Sequence, residues 1–225
     1  MKTIILLILS ALLPMVANAG PVKIDGIYYN LYKNTMMAVV TSNPNLYSGD
    51  VVIPQTLTYY GDSYRVAGIE EYAFAGCGSL TSVTILGGVY TIGFNAFYGC
   101  GSLTTVTIPD CVTSIGSEAF SYCTSLTDVY CFAEKVPNTN DIAFAGTPVA
   151  SATLHVPTGS VAKYESAYPW SEFGSIAEME TTPVNGIIAD EPPVSVTNYY
   201  DLFGRRVQHL RGGIYIQNGK KVLDM

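Results

Sequence analysis

Side chains that carry chemistry are scarce in this sequence. Histidine occurs only at His155 and His209, tryptophan once, and charged residues make up 13% of the 225 positions. No zinc-ligand spacing, calcium-loop spacing, phosphate-binding glycine loop or nucleophile elbow occurs. Because catalysis needs convergent acid, base or nucleophilic groups, we expect no enzyme, no metal and no cofactor. The alternative is an exported hydrolase that uses Cys111 and His155.

Basic residues are also few over most of the chain. Residues 20–198 carry 5 basic and 16 acidic side chains, whereas residues 199–225 carry 5 basic and 2 acidic. An acidic body repels phosphate groups, so the sequence argues against binding nucleic acid or anionic lipid. The sequence leaves the oligomeric state open.

A single long apolar run lies at the N-terminus. It extends from Ile4 to Val16, follows Lys2, and is followed by the small residues Ala17 and Ala19. The run is too short to cross a bilayer of roughly 30 Å as a helix, and the small residues suit signal peptidase. We predict a signal peptide cleaved after Ala19, no membrane span afterwards, and a secreted or outer-cell-surface location. The alternative is a retained anchor.

A period of 23 residues organises the middle of the chain. Each repeat has an Ala-Phe pair, a Gly- or Ser-rich turn and then a Leu-x-x-Val segment. Five positions recur at this spacing: Ile69, Ile92 and Ile115; Phe74, Phe97 and Phe120; Cys77, Cys100 and Cys123; Leu80, Leu103 and Leu126; Val83, Val106 and Val129.

This spacing predicts a β-rich solenoid. Val83 and Ile85 are two residues apart, so they point to one face of a short strand, with Ser82 and Thr84 on the other. Stacked coils place each inward side chain about 4.8 Å from its equivalent, and the core becomes continuous only when at least three coils stack. A partial repeat precedes the three clear ones at Val51–Ile53. A degenerate fourth, with one inserted residue, extends over 143–157.

Solenoid ends expose apolar edges, so caps are expected at both. Residues 24–41 alternate and turn at Lys33, which predicts a β-hairpin cap. Residues 161–167 predict a short helix that ends before Pro169, with Trp170 and Phe173 available to cover the last coil. The predicted organisation is signal peptide 1–19, N-terminal β cap and partial repeat 20–66, repeats 67–157, C-terminal cap 158–177, linker 178–198 and a β tail 199–225.

The repeat motif resembles a known family. The repeats read AFxGCxSLTxVTIP, which resembles the BspA-type leucine-rich repeat proteins of Bacteroidetes. The resemblance covers residues 26–177. This resemblance implies an extracellular binding protein that adheres to host matrix or to other bacteria. The segment YYDLFGRRVQHLRGGIYIQNGKKVLDM is similar to the C-terminal sorting domains of that phylum, although its Asp224-Met225 ending departs from the usual pattern. The alternation in this tail fits two strands joined by a turn. The alternative to a sorting domain is a small β module packed on the body.

The cysteines are expected to be structural. Cys77, Cys100 and Cys123 occupy one repeat position, so their Cβ vectors run parallel along the stack, which opposes the torsion of a disulfide bond. We interpret them as buried thiols that pack as small hydrophobes. Cys131 falls in register with inward positions, and Cys111 replaces a turn residue and is the best candidate for an exposed thiol.

The outward side chains of the strands form the candidate binding face. Larger groups crowd one end of two columns of small hydroxyls, where aromatic anchors could supply affinity. We predict a surface or secreted module for adhesion or protein–protein interaction. The alternative is a structural envelope protein that associates with itself. The candidate partner-binding residues are Ser82, Thr105 and Asp128 in one column, Thr84, Thr107 and Tyr130 in the next, and Phe132.

Overall fold

The computed structural model describes residues 20–179 and the backbone of four short strands between residues 199 and 224. The predicted signal peptide 1–19 and most of the predicted linker 178–198 lie outside the described residues. No helix in the part of the chain that is described combines the length and apolar character needed to cross a membrane.

Strands dominate the described residues. The helical segments are α1 (Val161–Glu165) and two 3₁₀ turns, Val149–Ser151 and Trp170–Glu172. In chain order the strands are β1 (Val22–Ile24), β2 (Ile27–Tyr32), β3 (Met37–Val40), β4 (Ser48–Ile53), β5 (Thr56–Tyr59), β6 (Asp62–Ile69), β7 (Ser79–Ile85), β8 (Thr91–Ile92), β9 (Thr105–Ile108), β10 (Ser114–Ile115), β11 (Asp128–Cys131), β12 (Asn138–Thr139), β13 (Thr153–Val156), β14 (Ser175–Glu178), β15 (Tyr199–Tyr200), β16 (Arg206–Val207), β17 (Gly213–Gln217) and β18 (Lys220–Asp224).

Two largely parallel sheets form the walls of the solenoid. One has six strands in the order β14-β13-β11-β9-β7-β4, and all of its neighbours are parallel. The other has the order β1-β2-β3-β6-β8-β10-β12, with β5 paired to β6. The predicted period sets the register, since Ser82 pairs with Thr105 and Thr105 with Asp128. The predicted β-rich solenoid is confirmed.

Inward side chains stack into ladders between the two sheets. The rings of Phe74, Phe97, Phe120 and Phe144 follow one another at centroid distances of 4.7, 5.1 and 5.4 Å and are nearly parallel. All four rings are buried. A single coil could not bury such a ring on both faces, so the core depends on stacking.

Both predicted caps are present. At the N-terminal end β2 and β3 pair as an antiparallel hairpin that buries Tyr29. At the other end the helix is shorter than predicted and ends at Glu165. Trp170 and Phe173 each lie 5.4 Å from the ring of Phe144 and cover the end of the phenylalanine ladder.

Two features at the C-terminal side were not predicted. Strand β14 extends the six-stranded sheet beyond the last repeat, although Ser175–Glu178 shows only weak alternation. In the tail, the alternation favoured two strands, whereas four antiparallel strands occur in the order β16-β15-β17-β18. The predicted domain boundaries remain predictions.

Candidate functional site

The outward positions of the six-stranded sheet form two columns, which we call the outer strand face. They alternate with buried inward residues along each strand, as a pleated strand requires. The register aligns the columns across all six strands. The first column contains Asp50, Ser82, Thr105, Asp128, Thr153 and Ser175, and the second contains Val52, Thr84, Thr107, Tyr130, His155 and Ala177.

Six of the seven predicted face residues are half-buried on this surface, and Thr107 differs. Its exposed fraction is only 3%. Thr107 lies between Thr84 and the much larger Tyr130 in the column, with neighbouring strands about 4.8 Å apart. A small side chain beside a large one is shielded from solvent, so Thr107 offers little surface to a partner. Phe132 follows β11 and is half-buried.

A cluster of three side chains, the Asp–His–Tyr cluster, lies near one end of the face. His155 Nε2 is 2.9 Å from Asp128 Oδ1. The His155 ring also stacks on the Tyr130 ring, with a centroid distance of 4.2 Å and an interplanar angle of 7°. Burial, and then the charge of Asp128, raise the pKa of Tyr130 above its ordinary value, so its hydroxyl stays protonated at neutral pH.

The sequence predicts a role for His155 only in the alternative hydrolase and does not include it among the residues of the candidate binding face. Phe144 follows Phe120 by 24 residues, one more than the 23-residue period, so one inserted residue lies between them. Leu154, however, pairs with Val129, which is 25 residues earlier and two more than the period. A second inserted residue therefore precedes β13. Aligning Leu154 and Val156 with Val129 and Cys131 would have placed His155 beside Tyr130.

At the opposite end of the first column, Asp50 binds two hydroxyl groups. Its Oδ1 atom accepts hydrogen bonds from Thr81 Oγ1 at 2.9 Å and Ser82 Oγ at 2.6 Å. The Ser82 hydroxyl is thus already engaged within the fold. The two carboxylates of the column are separated by three strand intervals, or about 14 Å.

The thiols have none of the features of nucleophiles. Cys77, Cys100, Cys123 and Cys131 are free and buried, as predicted, and Cys111 is half-buried rather than exposed because its Sγ contacts the Val89 carbonyl at 3.3 Å. Burial raises the pKa of Cys131 to about 11 and also raises that of Cys111. A reactive cysteine needs the opposite shift.

The structure does not assemble the residues of the alternative hydrolase. Cys111 contacts Val89, whereas His155 contacts Asp128 and Tyr130. Within residues 20–179 no hydrogen bond joins His155 to a serine, threonine or cysteine. The described residues also contain no group of three or more His, Cys, Asp or Glu side chains that could hold a metal ion.

The repeated part of the chain matches a protein family. The family is described as the BspA type leucine rich repeat region, and it matches residues 50–165 in six copies. No curated protein sequence matches the chain.

Two solved structures of leucine-rich repeat proteins share the fold. A protein from Bacteroides capillosus ATCC 29799 is 24% identical, with a TM-score of 0.51 over 60% of this chain and 97% of that one. A second, from Bacteroides ovatus ATCC 8483, is 27% identical, with a TM-score of 0.51 over 69% and 40%. A leucine rich cell surface protein from Faecalibacterium prausnitzii A2-165 is 25% identical, with a TM-score of 0.46 over 71% and 43%. The chain spans about two fifths of the length of the last two.

Proposed function

The chain belongs to the BspA-type leucine-rich repeat family, and from this premise we propose that it is a secreted or cell-surface module that adheres to a host or bacterial surface by binding a protein. The proposed binding site is the outer strand face. The family supports a role in protein interaction.

The Asp–His–Tyr cluster is the observation that carries this proposal. Interface hot spots are enriched in tyrosine and other large side chains that are surrounded by smaller contacts. Tyr130 is such a group, and it lies with Asp128 beside the small hydroxyl side chains of the preceding coil. The stacked coils hold them on a rigid sheet, so little conformational entropy is lost when a partner binds.

The test is binding of the purified chain to a panel of extracellular-matrix proteins and to intact epithelial and bacterial cells. The double variant Asp128→Thr/Tyr130→Thr introduces the residues that Thr105 and Thr107 provide one coil earlier. The solenoid already accommodates those residues, so we expect the variant to fold. Binding should fall at least tenfold, since hot-spot substitutions typically cost about 2 kcal/mol or more.

A matched control removes one acidic residue and one tyrosine elsewhere. Glu118→Asn/Tyr122→Gly introduces the residues of Asn95 and Gly99, which have the same left-handed backbone one coil earlier. This control should bind as the wild-type chain does. Equal binding by both double variants would move the binding site to the caps, and no binding by the wild-type chain would contradict the adhesion proposal.

Exposed tyrosines favour a second candidate, an envelope protein that associates with itself. Tyr72, Tyr98 and Tyr122 lie exposed on the turns of consecutive coils, and the rings of Tyr98 and Tyr122 touch edge to face at 5.3 Å. Sedimentation at increasing protein concentration tests this candidate. Self-association that Tyr122→Gly weakens would support it, and a monomer at all concentrations would remove it.

A further inference from the structure

Asp128 presents a carboxylate that is fixed in position and open to solvent. A carboxylate can only accept hydrogen bonds, so His155 Nε2 is the donor of the 2.9 Å bond to Oδ1. No hydrogen bond from the described residues reaches the second oxygen, Oδ2. The Asp128 side chain is 36% exposed. The fold therefore holds this negative charge in place and leaves it accessible.

Aromatic side chains follow Asp128 along the chain. Tyr130 is two residues beyond Asp128 in β11 and therefore on the same face, about 7 Å away along the strand. Tyr130 is held in place by the stacked ring of His155. The half-buried Phe132 comes directly after β11, which ends at Cys131. The strand thus presents a carboxylate and one half-buried ring on its outward face, and a second half-buried ring follows its end.

The outer strand face carries no lysine or arginine to neutralise this carboxylate, and His155 neutralises it only when the imidazole is protonated. The twelve positions of the two columns in the six-stranded sheet include no lysine or arginine, whereas Asp50 and Asp128 are both acidic. Residues 20–179 as a whole carry 13 acidic and 5 basic side chains. A cationic group of a partner would therefore complement the charge of this face.

We propose that the Asp–His–Tyr cluster accepts an arginine side chain of the protein partner. The guanidinium pairs with Asp128, and its planar face and stem pack against Tyr130 and Phe132. Arginine fits better than lysine because its guanidinium is planar, weakly hydrated and able to stack on rings while it bonds a carboxylate. This inference rests on the proposed function and names the chemistry of the group that is bound.

Selection from a displayed random peptide library tests this proposal with the full chain as the bait. We expect arginine to be enriched among peptides selected on the wild-type chain. The enrichment should disappear with Asp128→Asn, which removes the charge but keeps the shape. It should persist with Asp141→Asn, which removes the same charge at an exposed turn off the face.

One selected peptide is then compared in three forms that carry arginine, lysine or the neutral isostere citrulline. The citrulline form should bind the wild-type chain about tenfold more weakly, as expected for loss of a charge-assisted bond, and the lysine form should be intermediate. With Asp128→Asn the three forms should bind alike. Thermal unfolding of both Asn variants checks that they remain folded.

The outcomes separate this inference from the proposed function. Peptides that bind the outer strand face without arginine enrichment would overturn the inference and leave the proposed function standing. Equal loss of binding with Asp128→Asn and Asp141→Asn would also overturn it, because general charge attraction would then be sufficient. A wild-type dimer that Asp128→Asn dissociates would assign the site to a second copy of the chain instead of another protein.

Discussion

Two glycines determine how closely consecutive turns stack. A Cβ atom at Gly116 would lie 2.8 Å from the backbone carbon of Gly93 and the nitrogen of Phe94. At Gly93 it would lie 2.7 Å from the nitrogen of Glu71. These contacts involve backbone atoms, which cannot rotate away, so any side chain at these positions forces the coils apart.

We therefore predict that Gly116→Ala lowers the free energy of unfolding by about 1–3 kcal/mol, the usual cost of overpacking. Urea unfolding measures this change. Gly101→Ala is the matched control, because the nearest atom to its Cβ would be a threonine hydroxyl at 3.7 Å. A Gly116→Ala chain as stable as the control would show that the turns can separate at no cost.

Because thiols are buried in the core, the free energy of unfolding should fall at alkaline pH. Burial raises the pKa of Cys131 from 9.0 to about 11, although the hydrogen bond between Cys131 and Tyr164 partly opposes this shift. Between these two values the unfolded chain loses the thiol proton while the folded chain keeps it. The free energy of unfolding is thus constant below pH 9 with respect to this group and falls as the pH rises towards 11.

We expect a loss on the order of 2 kcal/mol from this thiol over that range, measured by urea unfolding under reducing conditions at pH 8, 9 and 10.5. Cys131→Val should show a shallower decline. If the variant and the wild-type chain decline in parallel, the thiol is not the group responsible.

At the scale of elements, the C-terminal cap completes the core. Trp170 is fully buried, packs edge to face on Phe144 and Tyr164, and donates from Nε1 to Thr139 Oγ1 at 3.0 Å. The cap therefore joins the last coil through both ring contacts and a hydrogen bond. Strand β14 then continues the sheet beside His155 and so supports the Asp–His–Tyr cluster from its outer side.

Removing this ring should open the end of the solenoid. We predict that Trp170→Ala lowers the free energy of unfolding by about 3–5 kcal/mol, as large-to-small core substitutions do. Tyr168→Ala, two residues earlier at an exposed position, should have little effect. Thermal and urea unfolding compare the two variants. Equal stability of the two would mean that the phenylalanine ladder needs no cap.

At the scale of the whole molecule, the 23-residue period was sufficient to predict the solenoid, its inward ladders and the need for caps. The same period could not place β14, because Ser175–Glu178 lies outside the repeats and its pairing depends on a neighbouring strand. It also left His155 off the binding face, since a second inserted residue shifts β13 relative to Phe144. The period placed Tyr130 beside Thr107, but whether the larger ring covers Thr107 depends on side-chain conformation, which the period does not specify.

Binding of a protein partner by the outer strand face is tested most sharply by the dissociation constant of one captured partner for the wild-type chain and for the two double variants. We expect the constant to rise at least tenfold for Asp128→Thr/Tyr130→Thr and to change within about twofold for Glu118→Asn/Tyr122→Gly. A dissociation constant that is unchanged in the first variant, or raised equally in both, would place the binding site elsewhere.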